Sequence, residues 1–184
     1  MVIILLPPGE DSEKAALALF ELLGRCRRTM LLCGALCYFA NGNPDFCVAV
    51  CGVHQQIALD AAVRCIVLLP EGCQSPFAAP PCATVLSFSE NGPDIALDGS
   101  QQLISCGLRQ RDTLTLSSLE SQKPVFSVQR TVTALNGEAI EIGEYPLHIP
   151  DAQKHAHVIA AAAVLLLKEG GFPPDCFCLP DAGH

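Results

Sequence analysis

The chain has little positive charge: four lysines and seven arginines among 184 residues, against nineteen acidic side chains, for a formal net charge of −8. A nucleic-acid binder needs a concentrated basic surface to displace counterions from phosphate, so that class of partner is not expected. The densest basic spot, Arg25, Arg27 and Arg28, reads as a helix C-terminus complementing its dipole. No apolar run approaches the roughly 20 residues of a spanning helix, so no membrane partner is expected. The opening MVIILLPPGE lacks the basic flank and the length of a signal peptide. The expected location is therefore the cytoplasm. Charged residues are scarce too, at 16% against 50% apolar. That excludes general disorder and leaves room for an apolar patch covered by a protein partner or a second copy.

The cysteines lack CxxC spacing, although there are eleven, at 26, 33, 37, 47, 51, 65, 73, 82, 106, 176 and 178. Cysteine packs as a small hydrophobe, and a core role is preferred here to metal or redox chemistry. Cys33/Cys37 and Cys47/Cys51 are four apart in β-rich runs, which predicts that each pair shares one face of a strand. A metal site of Cys47, Cys51 and His54 is the rival reading.

Apolar runs at 2–6, 47–50 and 65–69 read as buried strands. Between them, EKAALALFELLG predicts a helix with Asp11 or Ser12 as N-cap, an apolar face of Leu17, Phe20, Leu23 and the alanines, and a stop at Gly24. TMLLCGALCYF is a further apolar run before the NGNP turn at 41–44, and a second helix is expected at about 54–63. Residues 70–82 read as an irregular loop, and 84–88 and 102–107 as strands flanking an ENGPD turn. The alternation argues for βαβ units and a mostly parallel sheet. From 113 the period becomes two, and Asn136-Gly137 marks a hairpin, so an antiparallel meander with one exposed face is expected. A last helix is expected from near Ala152 to the Gly170-Gly171 stop. Residues 1–171 are read as one α/β domain and 172–184 as an irregular tail. No internal repeat is present.

Three stretches carry a resemblance to a known family. The first is the strand, turn and helix at 2–24. The second is VLSFSENGPD at 85–94 followed by ISCGL at 104–108. The third runs from IPD at 149–151 through KHAHVIAAAA at 154–163. Their order resembles the central ATP-binding domain of the Mur ligases, where a phosphate loop, an Asn-Ala-Asp-Asp-Pro turn with a Tyr-Gly strand, and a His-Asn helix start occupy those places. The resemblance implies a three-layer, Rossmann/P-loop-like fold. With the chain opening at Met1, only the family's middle domain is expected.

The same resemblance implies that the chemistry is lost. Where the family has Gly-Thr-x-Gly-Lys-Thr, this chain has Pro7, Pro8, Gly9, Glu10, Asp11 and Ser12. Prolines donate no N–H, and Glu10 and Asp11 put negative charge where a nucleotide brings its own. Ser12 is read as a helix cap rather than a relic of the magnesium-binding hydroxyl. Cys51 stands near the family's magnesium-binding glutamate, and a soft thiol suits that hard cation poorly. No lysine lies between Lys14 and Lys123 to match the family's modified lysine. On the last helix the adenine-side asparagines fall at Ala156 and Ile159, and only His155 is retained. No cofactor and no resident metal are expected.

Nothing else supplies a replacement chemistry. The candidates are His54, His148, His155, His157 and the cysteines, and His155 and His157, two apart, would project differently from a helix. No Gly-x-Ser-x-Gly elbow occurs, and Asp45 and Asp94 read as turn residues. The leading expectation is a non-catalytic Mur-ligase-like module that binds a protein partner, a second copy or a cell-wall precursor fragment. The rivals are an ATP-dependent ligase or amidation subunit whose rearranged site is completed by another chain, and a metal or redox protein.

Overall fold

In the computed structural model, the described residues are 1–34, 36–38, 43–52, 59, 63–73, 77–89, 97–119, 123–147 and 154–172. They divide into two compact units, Met1–Ser105 and Cys106–His184.

The first unit is built on a seven-stranded sheet. Its strands are β1 (Val2–Leu6), β2 (Thr29–Cys33), β3 (Leu36–Tyr38), β4 (Phe46–Val50), β5 (Arg64–Leu69), β6 (Thr84–Ser87) and β7 (Gln102–Ser105), in the order β3-β2-β4-β1-β5-β6-β7. Six strands are parallel and β3 alone runs antiparallel, against β2. The apolar run 29–39 is thus not one strand: the chain reverses after Cys33, where Gly34 adopts φ 58°, a conformation that glycine reaches without steric cost. Cys33 and Cys37 therefore sit on neighbouring strands, with Cys37 opposite Leu32, and not on one face of one strand as their spacing predicts. Central strands buried on both faces read as unbroken apolar runs, which is why β1 and β5 were legible. Leu5, Val67, Leu69 and Val85 pack there with Cys51 and Cys65 in one apolar cluster.

Helix α1 (Glu10–Gly24) packs on β2 and β4. Its buried positions include 12, 15, 16, 19, 22 and 23, a 3.6-residue stripe. The expected face is corrected in part. Leu23 is buried, but Leu17 is 47% exposed and Phe20 only half-buried. The small Ala15 and Ala16 face inward and let the helix approach the sheet. The cap is corrected as well: Gly9 is the N-cap, and Ser12 lies inside the first turn.

The second unit contains β8 (Leu114–Ser118), β9 (Val125–Val128) and β12 (Gly143–Pro146) in an antiparallel sheet of order β12-β9-β8, with a bulge between Leu116 and Ser118. Alternating exposure is clear on β12, whereas β8 and β9 bury consecutive residues. Strands β10 (Val132–Thr133) and β11 (Ala139–Ile140) form the hairpin expected at Asn136-Gly137. The Ala134 N–H donates to the Glu138 carbonyl, the Gly137 N–H donates to the Ala134 carbonyl, and Gly137 takes φ 89°, so three residues make the turn. Helix α2 (His155–Glu169) is buried at every position from Val158 to Leu167, as a helix apolar all round must be. Gly170 closes it at φ 75°, and the Leu135 N–H donates to the Leu167 carbonyl.

The expected helix at 54–63, the ENGPD turn, the start of the last helix near Ala152 and the tail fall wholly or largely outside the described residues.

Candidate functional site

Strand β1 lies inside the sheet, and the connections leaving β1 and β5 run in opposite directions, to β2 on one side and β6 on the other. The crevice beyond the carboxyl ends of two such strands is where open α/β sheets take ligands. A cavity of about 330 Å³ lies there, lined by residues 8–12 after β1 and 70–73 after β5. Sequence reasoning set residues 7–12 at the place of a degenerate nucleotide loop and said nothing of the second lip. Its local signal is Pro70-Glu71-Gly72, which forms a turn with the Cys73 N–H on the Pro70 carbonyl at 3.3 Å and Gly72 at φ 74°.

The first lip is short. Only Pro7, Pro8 and Gly9 separate β1 from α1, and two of the three have no N–H to offer. Gly9 adopts φ 149° and ψ 157°, a region essentially restricted to glycine. The Glu13 N–H donates to the Gly9 carbonyl at 3.1 Å, so the helix starts at once. No side chain caps that end, and Glu10, Asp11 and Glu13 occupy the first turn. These carboxylates already complement the positive end of the helix dipole.

The nearby cation is engaged by the same acids. Lys14 Nζ lies 2.7 Å from Glu10 Oε1 and 3.9 Å from Asp11 Oδ1. This hydrogen bond and charge hold the Glu10 carboxyl below its usual range and raise the Lys14 ammonium above its own. All three side chains are mostly exposed, and such a pair contributes little to stability. Its consequence is electrostatic. The described lining of the crevice holds Glu10, Asp11 and Glu71 and no basic residue. Like charges repel, so an approaching polyphosphate is opposed at this lip.

Cys51 follows β4 immediately, its N–H donating to the Leu6 carbonyl at 2.8 Å. It is buried, and burial pushes its thiol up to about 11. Cys65 on β5 is pushed up to about 12, first by burial and then by Cys51. Burial raises Cys47 too, with Cys37 contributing, and it raises Cys106 further still. A thiolate is the metal ligand and nucleophile, so these protonated thiols are core residues. His54 lies outside the described residues, and no cluster of His, Cys, Asp or Glu suited to a metal occurs among the described ones.

His155, Ala156 and Ile159 belong to the second unit. His155 and Ala156 are exposed on the first turn of α2, and Ile159 is fully buried. His157 is half-buried, its imidazole pKa lowered by burial and then by Lys154.

Comparison with solved structures gives the fold a context. The chain is similar to MurF from Acinetobacter baumannii, with 13% identity and a TM-score of 0.54, over 96% of this chain and 44% of that one. It is similar to a UDP-N-acetylmuramoyl-L-alanyl-D-glutamate–2,6-diaminopimelate ligase at 10% identity and a TM-score of 0.54, over 100% of this chain and 47% of the ligase. At these identities the likeness is one of fold: a mostly parallel α/β sheet with an added antiparallel sheet. The chain spans less than half the length of either ligase. No protein-family model matches the sequence, and no curated protein matches it.

Proposed function

We propose that this chain is a non-catalytic Mur-ligase-like domain, a binding or assembly module linked to cell-wall metabolism, whose former nucleotide loop no longer accepts ATP. The observation that carries the reading is the three-residue passage from β1 to α1. Two of its residues are prolines, it leads into a turn holding three carboxylates, and Lys14 is held by Glu10 and Asp11. A phosphate loop needs inward N–H groups and an unengaged lysine; this passage has few of the first and none of the second. Cys51, protonated and buried beside β1, adds no hard ligand for magnesium.

The partner in this reading is another protein or a second copy in the cytoplasm. Among the described residues no helix is long and apolar enough to cross a membrane.

Calorimetric titration of the purified chain with ATP and magnesium, with metal content measured on the same sample, tests the proposal. No heat of binding is the expected result. Saturable binding in the micromolar range would overturn it in favour of a ligase or amidation subunit with a rearranged site, and stoichiometric bound metal would favour a metalloprotein.

A further inference from the structure

The crevice between residues 8–12 and 70–73 holds a hydroxyl that the fold leaves unused. Ser12 is 3% exposed, lies in the first turn of α1 and lines the cavity. Its Oγ has no hydrogen-bond partner among the described residues. A buried hydroxyl without a partner costs stability, and alanine, which the same inward stripe carries at 15 and 16, is the better helix former. An unmet hydroxyl on a cavity wall points to a ligand that supplies the missing bond.

The charge around it selects the sign of that ligand. The charged side chains lining the crevice are all carboxylates: Glu10 and Asp11 on the first lip and the exposed Glu71 on the second. An ammonium group already sits on the first lip, where Lys14 Nζ stands 2.7 Å from Glu10 Oε1 and 3.9 Å from Asp11 Oδ1. Glu71 has no ion-pair partner among the described residues. Lys14 offsets one of the three negative charges, so the crevice stays negative. The acids do not converge on one point: among the described residues no group of three His, Cys, Asp or Glu suits a metal ion. A dedicated site for a bare divalent cation gathers several oxygen ligands. An ammonium carries three N–H donors and is served by acceptors set apart.

We propose that the crevice binds the primary ammonium group of its ligand, held between Glu71 and the first-lip carboxylates and donating one N–H to Ser12 Oγ. The cavity volume of about 330 Å³ admits a small amine or the end of a lysine side chain. The site rests on the reading of this crevice as closed to ATP, and names what it takes instead.

The test is an amide NMR titration of the whole chain with n-butylammonium chloride. Tetramethylammonium chloride at matched ionic strength, which has the charge and no N–H, is the control. Saturable shifts at residues 9–12 and 71–73, absent with the control, are expected. Glu71→Gln should weaken binding about twofold to fivefold. Ser12→Ala should weaken it without lowering the melting temperature, because the fold loses no bond. Lys14→Gln, which releases Glu10 and Asp11, should strengthen it, and Glu144→Gln, an exposed change in the second unit, should leave it unaltered. A parallel titration with Nα-acetyl-lysine amide separates the sources: binding at least as tight as that of butylammonium assigns the ammonium to a protein side chain, weaker binding to a free amine. Shifts reproduced by tetramethylammonium, shifts seen only with magnesium chloride, or affinity that survives both Glu71→Gln and Ser12→Ala would overturn the assignment. Saturable heat with ATP overturns the reading of a closed nucleotide loop, whereas silence with both ATP and butylammonium overturns the ammonium site alone.

Discussion

Raising the pH should destabilise the fold through thiols buried in the sheet, and Cys65 permits the effect to be sized. Its folded pKa is about 12, against an ordinary value of 9.0. The folded state therefore holds the proton where the unfolded chain releases it. Stability slopes as the protons bound unfolded minus those bound folded, a negative difference between the two pKa values. The contribution is whole below about pH 9 and is lost as pH rises towards 12. At about pH 10 a thiol of ordinary pKa 9.0 is mostly ionised in the unfolded chain, worth about 1 kcal/mol. Cys51, raised to about 11, should lose a similar amount. Urea unfolding at about pH 7.5 and pH 10 measures the total, and repeating it with Cys65→Val isolates that thiol. The variant should show a pH-linked loss smaller by about 1 kcal/mol. A variant with the full wild-type loss, or a wild type insensitive to pH, would refute the protonated-core account. Ionisable thiols would then be available for metal or redox chemistry.

Other consequences follow from packing. Leu19→Ala on the buried face of α1 should cost about 2–5 kcal/mol, whereas Leu17→Ala, on the exposed side, should stay within about 1 kcal/mol; denaturant midpoints separate them. Asp112, 1% exposed, accepts from the Arg109 N–H at 2.9 Å, Nε at 3.1 Å and Nη2 at 3.0 Å. Asp112→Ala breaks all three bonds and should cost about 3–5 kcal/mol in chemical unfolding. Gly107→Ala should disturb the same pair, because a Cβ there would meet Asp112 Oδ2 at 2.5 Å, so its cost should shrink sharply in an Asp112→Ala background. Additive costs would show that Gly107 and Asp112 act independently.

Elements whose signal is local were legible in the residues alone. Unbroken apolar runs marked β1, β4 and β5, Asn136-Gly137 marked the β10–β11 hairpin, and Gly170 marked the end of α2. Glu10 and Asp11 announced the charge of the first lip, because charge at a strand–helix junction needs no partner to be read. The short passage at Pro7-Pro8-Gly9 was legible for the same reason.

Tertiary contact decided the rest. Leu17 and Leu19 are both leucines on one helix, and only the sheet beneath α1 turns the second inward and the first to solvent. Cys33 and Cys37 share a period that suits one strand, yet Gly34 reverses the chain and divides them. Residues 8–12 and 70–73 are some sixty positions apart, and they share a crevice because β1 and β5 are neighbours in the sheet order. Periodicity reports which residues prefer to be buried. Which distant segment buries them is set by the pairing of strands, and the adjacent-strand register that brings two loops to one end of a sheet leaves no mark in either loop.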